Sequence, residues 1–295
     1  GRPVMRRATS MLAVLPLVRG YSVAVPGARA VRRIAVGRPV VPPRGSRFFA
    51  TAAQEDIGGT AGFDALGLSP HLLAGLYEMG IDEPTDIQRL SWPVLRSGSD
   101  AVLLDETGTG KTLAYVLPIL QAVIEEREGL MAEAVQAAEA AAAAAEAGDT
   151  AAAAPTPAGN RRLTLPRMPS QALFLAPNRE LVVQVHETVS RLLAHLPASY
   201  GIRASALTEP DANGDLDVLV ATPAIAQRSW RGVPKGSRHR GPSRVRWVAL
   251  DEADQLLSGS FKPAVRDRYP VEAILSELKA EAKQGAQTAE RREGR

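Results

Sequence analysis

The chain has 295 residues, of which 45% are hydrophobic, so it is long and apolar enough to bury one sizeable core and is not disordered along its whole length. It has no cysteine, which excludes disulfides and thiolate metal sites, so any bound metal should be a hard ion held by oxygen. The net charge of +3 is unevenly distributed: ten arginines and no acidic residue precede Glu55, and the rest of the chain has 25 basic and 32 acidic residues, a net charge of −7. A chain whose main part is acidic can have only a local basic surface for nucleic acid.

Residues 1–54 are rich in Arg, Ser, Ala, Val and Pro and lack Asp and Glu, a composition typical of an organellar targeting segment. The runs at 19–21 and 47–49 each resemble a matrix-protease cleavage site. We therefore expect a location in the mitochondrial matrix, with a plastid as the less favoured organelle. The alternative is a disordered basic arm that contacts RNA or a ribosome directly. No apolar run approaches the roughly 20 residues of a membrane span, so none is expected.

Helices and strands alternate from Phe63 onward. Helices are predicted over 70–79 and 111–124. Four apolar runs are predicted as buried strands: 100–104, 172–176, 218–221 and 245–250. This alternation predicts an α/β fold with a single domain, in which a parallel sheet is flanked by helices on both faces. Ligands of such sheets gather at the carboxyl ends of the strands.

Residues 125–170 are Ala-rich and partly acidic and show no amphipathic stripe, which indicates an insertion. Helix propensity alone would let 134–147 extend the preceding helix, although a helix without an apolar face is marginal in water. The charged segment 279–295 is predicted to fray. The folded domain is therefore expected over 55–278, with this insertion inside it.

A phosphate-binding loop is predicted where the strand at 100–104 meets the helix at 111–124. Its sequence is Thr107-Gly108-Thr109-Gly110-Lys111-Thr112. The glycines let successive backbone N–H groups turn toward phosphates, and the helix N-terminus adds its positive end. Lys111 would neutralise the β and γ phosphates, and the Thr112 hydroxyl would bind Mg²⁺. The alternative, an ordinary Gly-rich turn, does not explain the Gly-Lys-Thr ending at this place.

The loop resembles motif I of the DEAD-box RNA helicases, and residues 251–254, with the sequence DEAD, resemble the motif that names this family. Residues 177–181 are similar to the PTREL element of the family, and residues 222–223 begin a run similar to its TPGR element. Phe63 and residues 84–88 resemble its adenine-reading Q motif. The resemblance is to the first, N-terminal RecA-like (P-loop NTPase) domain only, with degenerate motifs.

This resemblance spans 63–278 apart from the insertion, and it implies ATP and Mg²⁺ as ligands. Asp251 would hold Mg²⁺ together with Thr112, and Glu252 would position and deprotonate the attacking water, with Lys111 as the second catalytic residue. The implied cofactor-binding residues are Phe63, Gln88, Thr107, Gly108, Thr109, Gly110, Lys111 and Thr112.

The resemblance also implies RNA as a partner, bound at Pro177, Arg179, Thr222 and Pro223. The family grips phosphate and sugar there without reading bases. Residues 218–250 support this role with six Arg, one Lys and no acid. A solvated loop, or a docking surface for a protein or ribosomal RNA, is the alternative for this basic stretch.

Several positions depart from the pattern of the family: Asp105 replaces Ala, Ile81 replaces an aromatic residue, Asn178 replaces Thr, and residues 224–225 replace Gly-Arg. No HRxGRxG element follows. In the family, the second domain that carries this element supplies arginines that raise the rate of ATP hydrolysis by roughly 10³- to 10⁵-fold. A lone first domain should therefore have little ATPase activity. Two functions stay open. One is an ATP-dependent RNA-binding or remodelling factor in mitochondrial ribosome assembly or RNA metabolism. The other is a non-catalytic structural subunit of a mitochondrial ribosome or another large organellar assembly.

Overall fold

The computed structural model describes residues 9–16, 33–37, 62–146, 168, 171–207, 216–231, 245–257, 271, 274–276 and 278. The strands in these ranges are β1 (Thr9–Pro16), β2 (Arg33–Gly37), β3 (Asp100–Glu106), β4 (Gln171–Leu175), β5 (Ala204–Leu207), β6 (Val218–Ala221) and β7 (Val245–Leu250). The α-helices are α1 (Pro70–Glu78), α2 (Asp86–Arg96), α3 (Lys111–Glu146), α4 (Arg179–Leu193), α5 (Pro223–Arg231) and α6 (Ala253–Leu257).

The strands form a single sheet in the order β2-β3-β1-β7-β4-β6-β5. Strand β4 pairs in parallel with β7 and β6, and β6 pairs in parallel with β5. Strand β1 is antiparallel to both of its neighbours, β3 and β7, so β3 runs in the same direction as β7. The five strands from β3 to β7 therefore share one direction, and their carboxyl ends lie at one edge of the sheet.

The two antiparallel strands, β1 and β2, both come from residues 1–54. Their sequences do not predict them, because the segment has ten arginines and no acidic residue, which is typical of a targeting segment, although residues 11–15 are an apolar run of strand length. The two runs that resemble cleavage sites lie outside the described residues. A targeting segment and a basic arm both remain predictions for residues 1–54.

The core lies on both faces of the sheet, as β4 shows. Ala172 and Phe174 belong to a cluster with the apolar sides of α1 to α4, whereas Leu173 and Leu175 belong to a second cluster with α5, α6 and residues near Val271. Successive side chains of a strand point to opposite faces, so helices cover both sides of β4. The predicted fold class, a parallel sheet flanked by helices on both faces, is confirmed.

Helix α3 reaches Glu146 and has 36 residues, well beyond the predicted end at residue 124. Its later part consists largely of alanine with exposed side chains, so it gains little from packing. Alanine has the highest helix propensity and sustains the helix without an apolar stripe. Residues 147–167 and the segment 279–295 lie outside the described residues. Within the described residues, no helix is both long and apolar enough to cross a bilayer.

Helices α1 and α4 pack closely at Gly75. A Cβ atom added there would lie 3.0 Å from the Leu192 Cα atom, which is backbone and cannot rotate away. We expect Gly75→Ala to lower the free energy of unfolding by about 1–3 kcal/mol, the usual cost of overpacking, and urea unfolding measures it. Gly129→Ala is the control, since Gly129 lies in exposed helix with no atom within 4 Å of an added Cβ.

The control variant should gain about 0.5–1 kcal/mol, because alanine loses less backbone entropy than glycine in a helix. If Gly75→Ala is stabilised as much as Gly129→Ala, α1 and α4 do not approach each other as closely as the structure has them.

Candidate functional site

The loop between β3 and α3 spans residues 107–110 and lies at the carboxyl end of β3. Gly108 and Gly110 have φ angles of +83° and +89°, which glycine adopts without the strain that a side chain would add. A side chain at Gly110 would also collide with Gln88, since an added Cβ would lie 2.5 Å from the Gln88 Nε2 atom. The loop therefore has the strand-loop-helix setting that phosphate binding requires.

The Lys111 side chain folds back onto this loop and is only 8% exposed. Its Nζ atom donates to the carbonyl oxygens of Asp105, at 3.0 Å, and Glu106. Burial lowers the pKa of Lys111, against the opposite effect of the Asp105, Glu252, Asp251 and Asp254 carboxylates, of which Asp105 has the largest effect. The ammonium group is thus held by backbone carbonyls at the place where phosphate oxygens could replace them.

Gln88 connects α2 to the loop. Its Oε1 atom accepts from the Thr85 N–H at 3.0 Å, and its Nε2 atom donates to the Gly110 carbonyl oxygen at 3.0 Å. The amide is buried, so both of these bonds help to fix the loop. Phe63 is 1% exposed and belongs to the core cluster on the side of α1 to α4. The part of Gln88 and Phe63 in binding adenine stays a prediction.

Asp251 follows the last residue of β7. Its N–H donates to the Leu175 carbonyl oxygen at 2.8 Å, which fixes the turn to the end of β4. Its Oδ1 atom accepts from the Glu252 N–H at 3.0 Å, and its Oδ2 atom accepts from the Tyr115 hydroxyl at 3.1 Å. Burial raises the pKa of Asp251, while the bonds from Tyr115 and Glu252 and the charge of Lys111 act in the opposite direction. The carboxylate therefore has one defined orientation.

Glu252 has a φ of 49°, the only positive φ at a non-glycine residue among the described residues. Such a backbone conformation costs on the order of 1–3 kcal/mol and is found most often at functional sites. The Oε2 atom of Glu252 accepts from Gln255 Nε2 at 3.3 Å, so the side chain is held at the start of α6. This strained turn places two carboxylates side by side at the edge where the loop of Lys111 ends.

The predicted RNA-binding residues follow β4 and β6, which are adjacent and parallel, with Leu175 opposite Ala221. Pro177 and Pro223 are buried, Thr222 is half-buried and Arg179 is exposed. These four residues lie at the same edge of the sheet as the loop, and their contact with RNA stays a prediction.

Two other observations concern the neighbouring sequence. Asn178, which departs from the PTREL pattern, caps α4 by accepting the Leu181 N–H at 2.9 Å, a role that asparagine fills well.

Of the basic stretch 218–250, residues 232–244 lie outside the described residues. Arg246 forms an ion pair with Glu126 at 3.6 Å and so contacts α3.

Tyr115 is a residue of this site that was not expected from the sequence. It lies four residues after Lys111 in α3, is fully buried, and bonds through its hydroxyl to Asp251. Burial and the Asp251 charge raise the pKa of Tyr115 well above its usual value, so the hydroxyl stays protonated and remains a donor. The available signal was a tyrosine within the apolar run at 113–120, because a buried tyrosine hydroxyl needs a partner.

The sheet, the glycine loop and the carboxylates beside it define a P-loop-type α/β domain. The model of the DEAD/DEAH box helicase family matches residues 85–285, and the chain belongs to this family. It is 29% identical over 207 residues to the ATP-dependent RNA helicase dbp-9 of Neurospora crassa, covering 68% of this chain and 24% of that protein.

Two further comparisons have similar coverage of this chain. It is 30% identical over 235 residues to the ATP-dependent RNA helicase mak5 of Aspergillus fumigatus, covering 76% of this chain and 26% of that protein. The structure of the yeast DEAD-box splicing factor Prp28 matches 72% of this chain and 42% of its own, at 20% identity and a TM-score of 0.43. The chain thus spans about a quarter of the length of these two curated relatives.

Proposed function

We propose that this chain binds Mg-ATP and RNA and acts as an ATP-dependent RNA-binding or remodelling factor in mitochondrial ribosome assembly or RNA metabolism. One observation carries the nucleotide part of the proposal. The Tyr115 hydroxyl, one helical turn after Lys111, donates to Asp251 Oδ2 at 3.1 Å, so the helix that begins at Lys111 is bonded to the turn of Asp251 and Glu252, some 140 residues away along the chain. Lys111, a cation that can bind phosphate, thus lies at the same edge of the sheet as two carboxylates that can bind a metal ion and a water molecule.

The residues present suit Mg²⁺, which prefers oxygen ligands and is commonly bound by one or two protein groups together with phosphates and water. Asp251 and Thr112 would hold it, and the bound ion would neutralise charge on the β and γ phosphates. Lys111 binds the same phosphates. Glu252, held beside Asp251, would orient a water molecule and accept its proton.

The proposal of RNA as a partner is supported by the names of the relatives, which are ATP-dependent RNA helicases. Arg179 supports it as well, since it is exposed beside the end of β4 and can pair with phosphate. The acid-free composition of residues 1–54 supports a mitochondrial location. Expression of residues 1–54 fused to a fluorescent protein tests this location, and a diffuse cytosolic signal would contradict it.

Calorimetry on the full chain tests the nucleotide proposal, with Mg-ATP compared with Mg-GTP. We expect saturable binding of Mg-ATP and weaker binding of Mg-GTP, because the Q-motif resemblance at Gln88 implies recognition of adenine. Fluorescence anisotropy with a labelled single-stranded RNA, with and without Mg-ATP, tests RNA binding. A chain that binds neither nucleotide nor RNA refutes the proposal.

A second candidate function, the non-catalytic structural subunit, is favoured by Asp105. This carboxylate lies at the loop and has the largest effect of the four that act on the pKa of Lys111, so it competes with phosphate for the ammonium charge. We expect Asp105→Asn to increase Mg-ATP affinity by up to about fivefold, the order of 1 kcal/mol for a partly exposed charge pair.

Asparagine keeps the acceptor for the Glu106 N–H, which Asp105 Oδ1 binds at 2.8 Å, so the variant isolates the charge. Calorimetry of both proteins with Mg-ATP measures the change. Nucleotide binding by the variant but not by the natural chain would favour the structural subunit. Equal affinity in the two proteins would show that the Asp105 charge does not oppose binding.

A further inference from the structure

Tyr115 lies on the same helix as Thr112 and bonds to Asp251, the two residues that are proposed to hold Mg²⁺. Its hydroxyl donates to the Asp251 Oδ2 atom at 3.1 Å, and the Thr112 side chain lies near enough to lower the pKa of the same hydroxyl. Thr112 lies one helical turn before Tyr115 on α3, whereas Asp251 follows β7. The hydroxyl therefore bonds the turn after β7 to α3, the helix on which Thr112 lies.

The ring of Tyr115 is fixed by packing. It is completely buried, and its centroid lies 5.6 Å from that of Phe174 on β4, with the ring planes tilted by 41°. Phe174 is itself 2% exposed. Because neither ring can move into solvent, the Tyr115 hydroxyl has little positional freedom. Its hydrogen bond therefore restrains the partner group as well.

The carboxylate of Asp251 has a donor on each oxygen: the Glu252 N–H on Oδ1 and the Tyr115 hydroxyl on Oδ2. Each oxygen keeps a lone pair for a further ligand. The backbone donor alone leaves the carboxylate free to rotate about its bond to Cβ. The tyrosine hydroxyl removes that freedom, as partners of metal-ligating groups commonly do.

We propose that Tyr115 is a positioning residue, whose hydroxyl sets the relative placement of Thr112 and Asp251 and thereby the affinity of the nucleotide site for its divalent metal ion. This inference rests on the proposed function, since it concerns the same site. It assigns Tyr115 no contact with the nucleotide. Loss of the hydroxyl should therefore affect metal affinity in the presence of ATP and leave the affinity for metal-free ATP unchanged.

Tyr115→Phe tests this, with Mn²⁺ as a paramagnetic probe for Mg²⁺. The full chain is mixed with ATP, and electron paramagnetic resonance measures the Mn²⁺ that the protein binds beyond the amount that ATP alone holds. We expect the variant to lose about 10- to 100-fold in Mn²⁺ affinity, the usual effect of removing a partner of a metal ligand. In EDTA, its affinity for ATP should stay within about twofold of the natural chain.

The matched control is Tyr200→Phe, which removes another tyrosine-to-carboxylate bond, from the Tyr200 hydroxyl to Glu128 Oε1 at 2.8 Å, on the surface. It should leave both affinities unchanged. Circular dichroism and the unfolding midpoint show that each variant is folded.

The outcomes separate the two proposals. If Tyr115→Phe keeps the Mn²⁺ affinity of the natural chain, or loses affinity equally with and without metal, Tyr115 has only a structural role and the inference is wrong. If the natural chain binds no nucleotide at all, the proposed function fails first and the inference fails with it.

Discussion

Replacement of Lys111 with alanine is expected to weaken Mg-ATP binding by roughly 30- to 4,000-fold. Lys111 is the only basic residue in the sequence between Arg96 and Arg127, and it is 8% exposed, so its attraction for phosphate is weakly screened. Removing one partner of a buried, hydrogen-bonded charge pair costs about 2–5 kcal/mol, which corresponds to that range of dissociation constants. Calorimetry with the full chain measures the loss.

Arg96→Ala is a control for Lys111→Ala, because it changes the net charge by the same amount elsewhere. Arg96 lies on α2, where it bonds to both oxygens of Glu125 at 2.7 and 2.9 Å. Its removal should change Mg-ATP affinity by less than about twofold, since surface ion pairs contribute little. Similar losses in both variants would mean that the loop of Lys111 is not the phosphate site.

The largest loss of stability is expected from Phe174→Ala. Phe174 lies on β4, near the middle of the sheet, is 2% exposed and packs against Tyr115. Truncation of a buried phenylalanine costs about 3–5 kcal/mol, because the transfer energy is lost and a cavity is left. Urea unfolding followed by circular dichroism should show this decrease in the free energy of unfolding.

Val183→Ala on α4 serves for comparison, since Val183 is 40% exposed. Its effect should stay within about 0.5 kcal/mol, as is usual for surface substitutions. A Phe174→Ala variant that loses less than about 1 kcal/mol would place β4 at the periphery of the fold and contradict the core described above.

The elements that the sequence predicted well are those with a local signal. The apolar run of β3, the glycines and Lys111 lie next to one another along the chain, so strand, loop and helix could be predicted together. Helix α3 was predicted too short because the prediction depended on an apolar stripe, which ends near residue 124, whereas alanine propensity continues the helix to Glu146. Strands β1 and β2 depend on pairing with β3, whose sequence is remote from theirs.

The same distinction holds for the site. Lys111 and the residues at 251–252 could be predicted because each follows a predicted strand, and parallel strands end at one edge. The bond from Tyr115 to Asp251 could not, since the two residues are 136 positions apart and meet only through the packing of α3 on the sheet. Gln88 could be singled out as a nucleotide-site residue, yet its bond to the Gly110 carbonyl depends on how α2 meets the loop.

Strand β1 gives the predicted targeting segment a place in the sheet. It separates β3 from β7, so the loop of Lys111 and the turn of Asp251 stand two strand spacings apart, about 9.5 Å. A protease that removed residues 1–54 would take away both neighbours of β3 and leave its backbone N–H and C=O groups without sheet partners. Cleavage of the predicted targeting segment would therefore change the sheet that carries the nucleotide site, whereas an uncleaved segment would keep β3 paired on both sides.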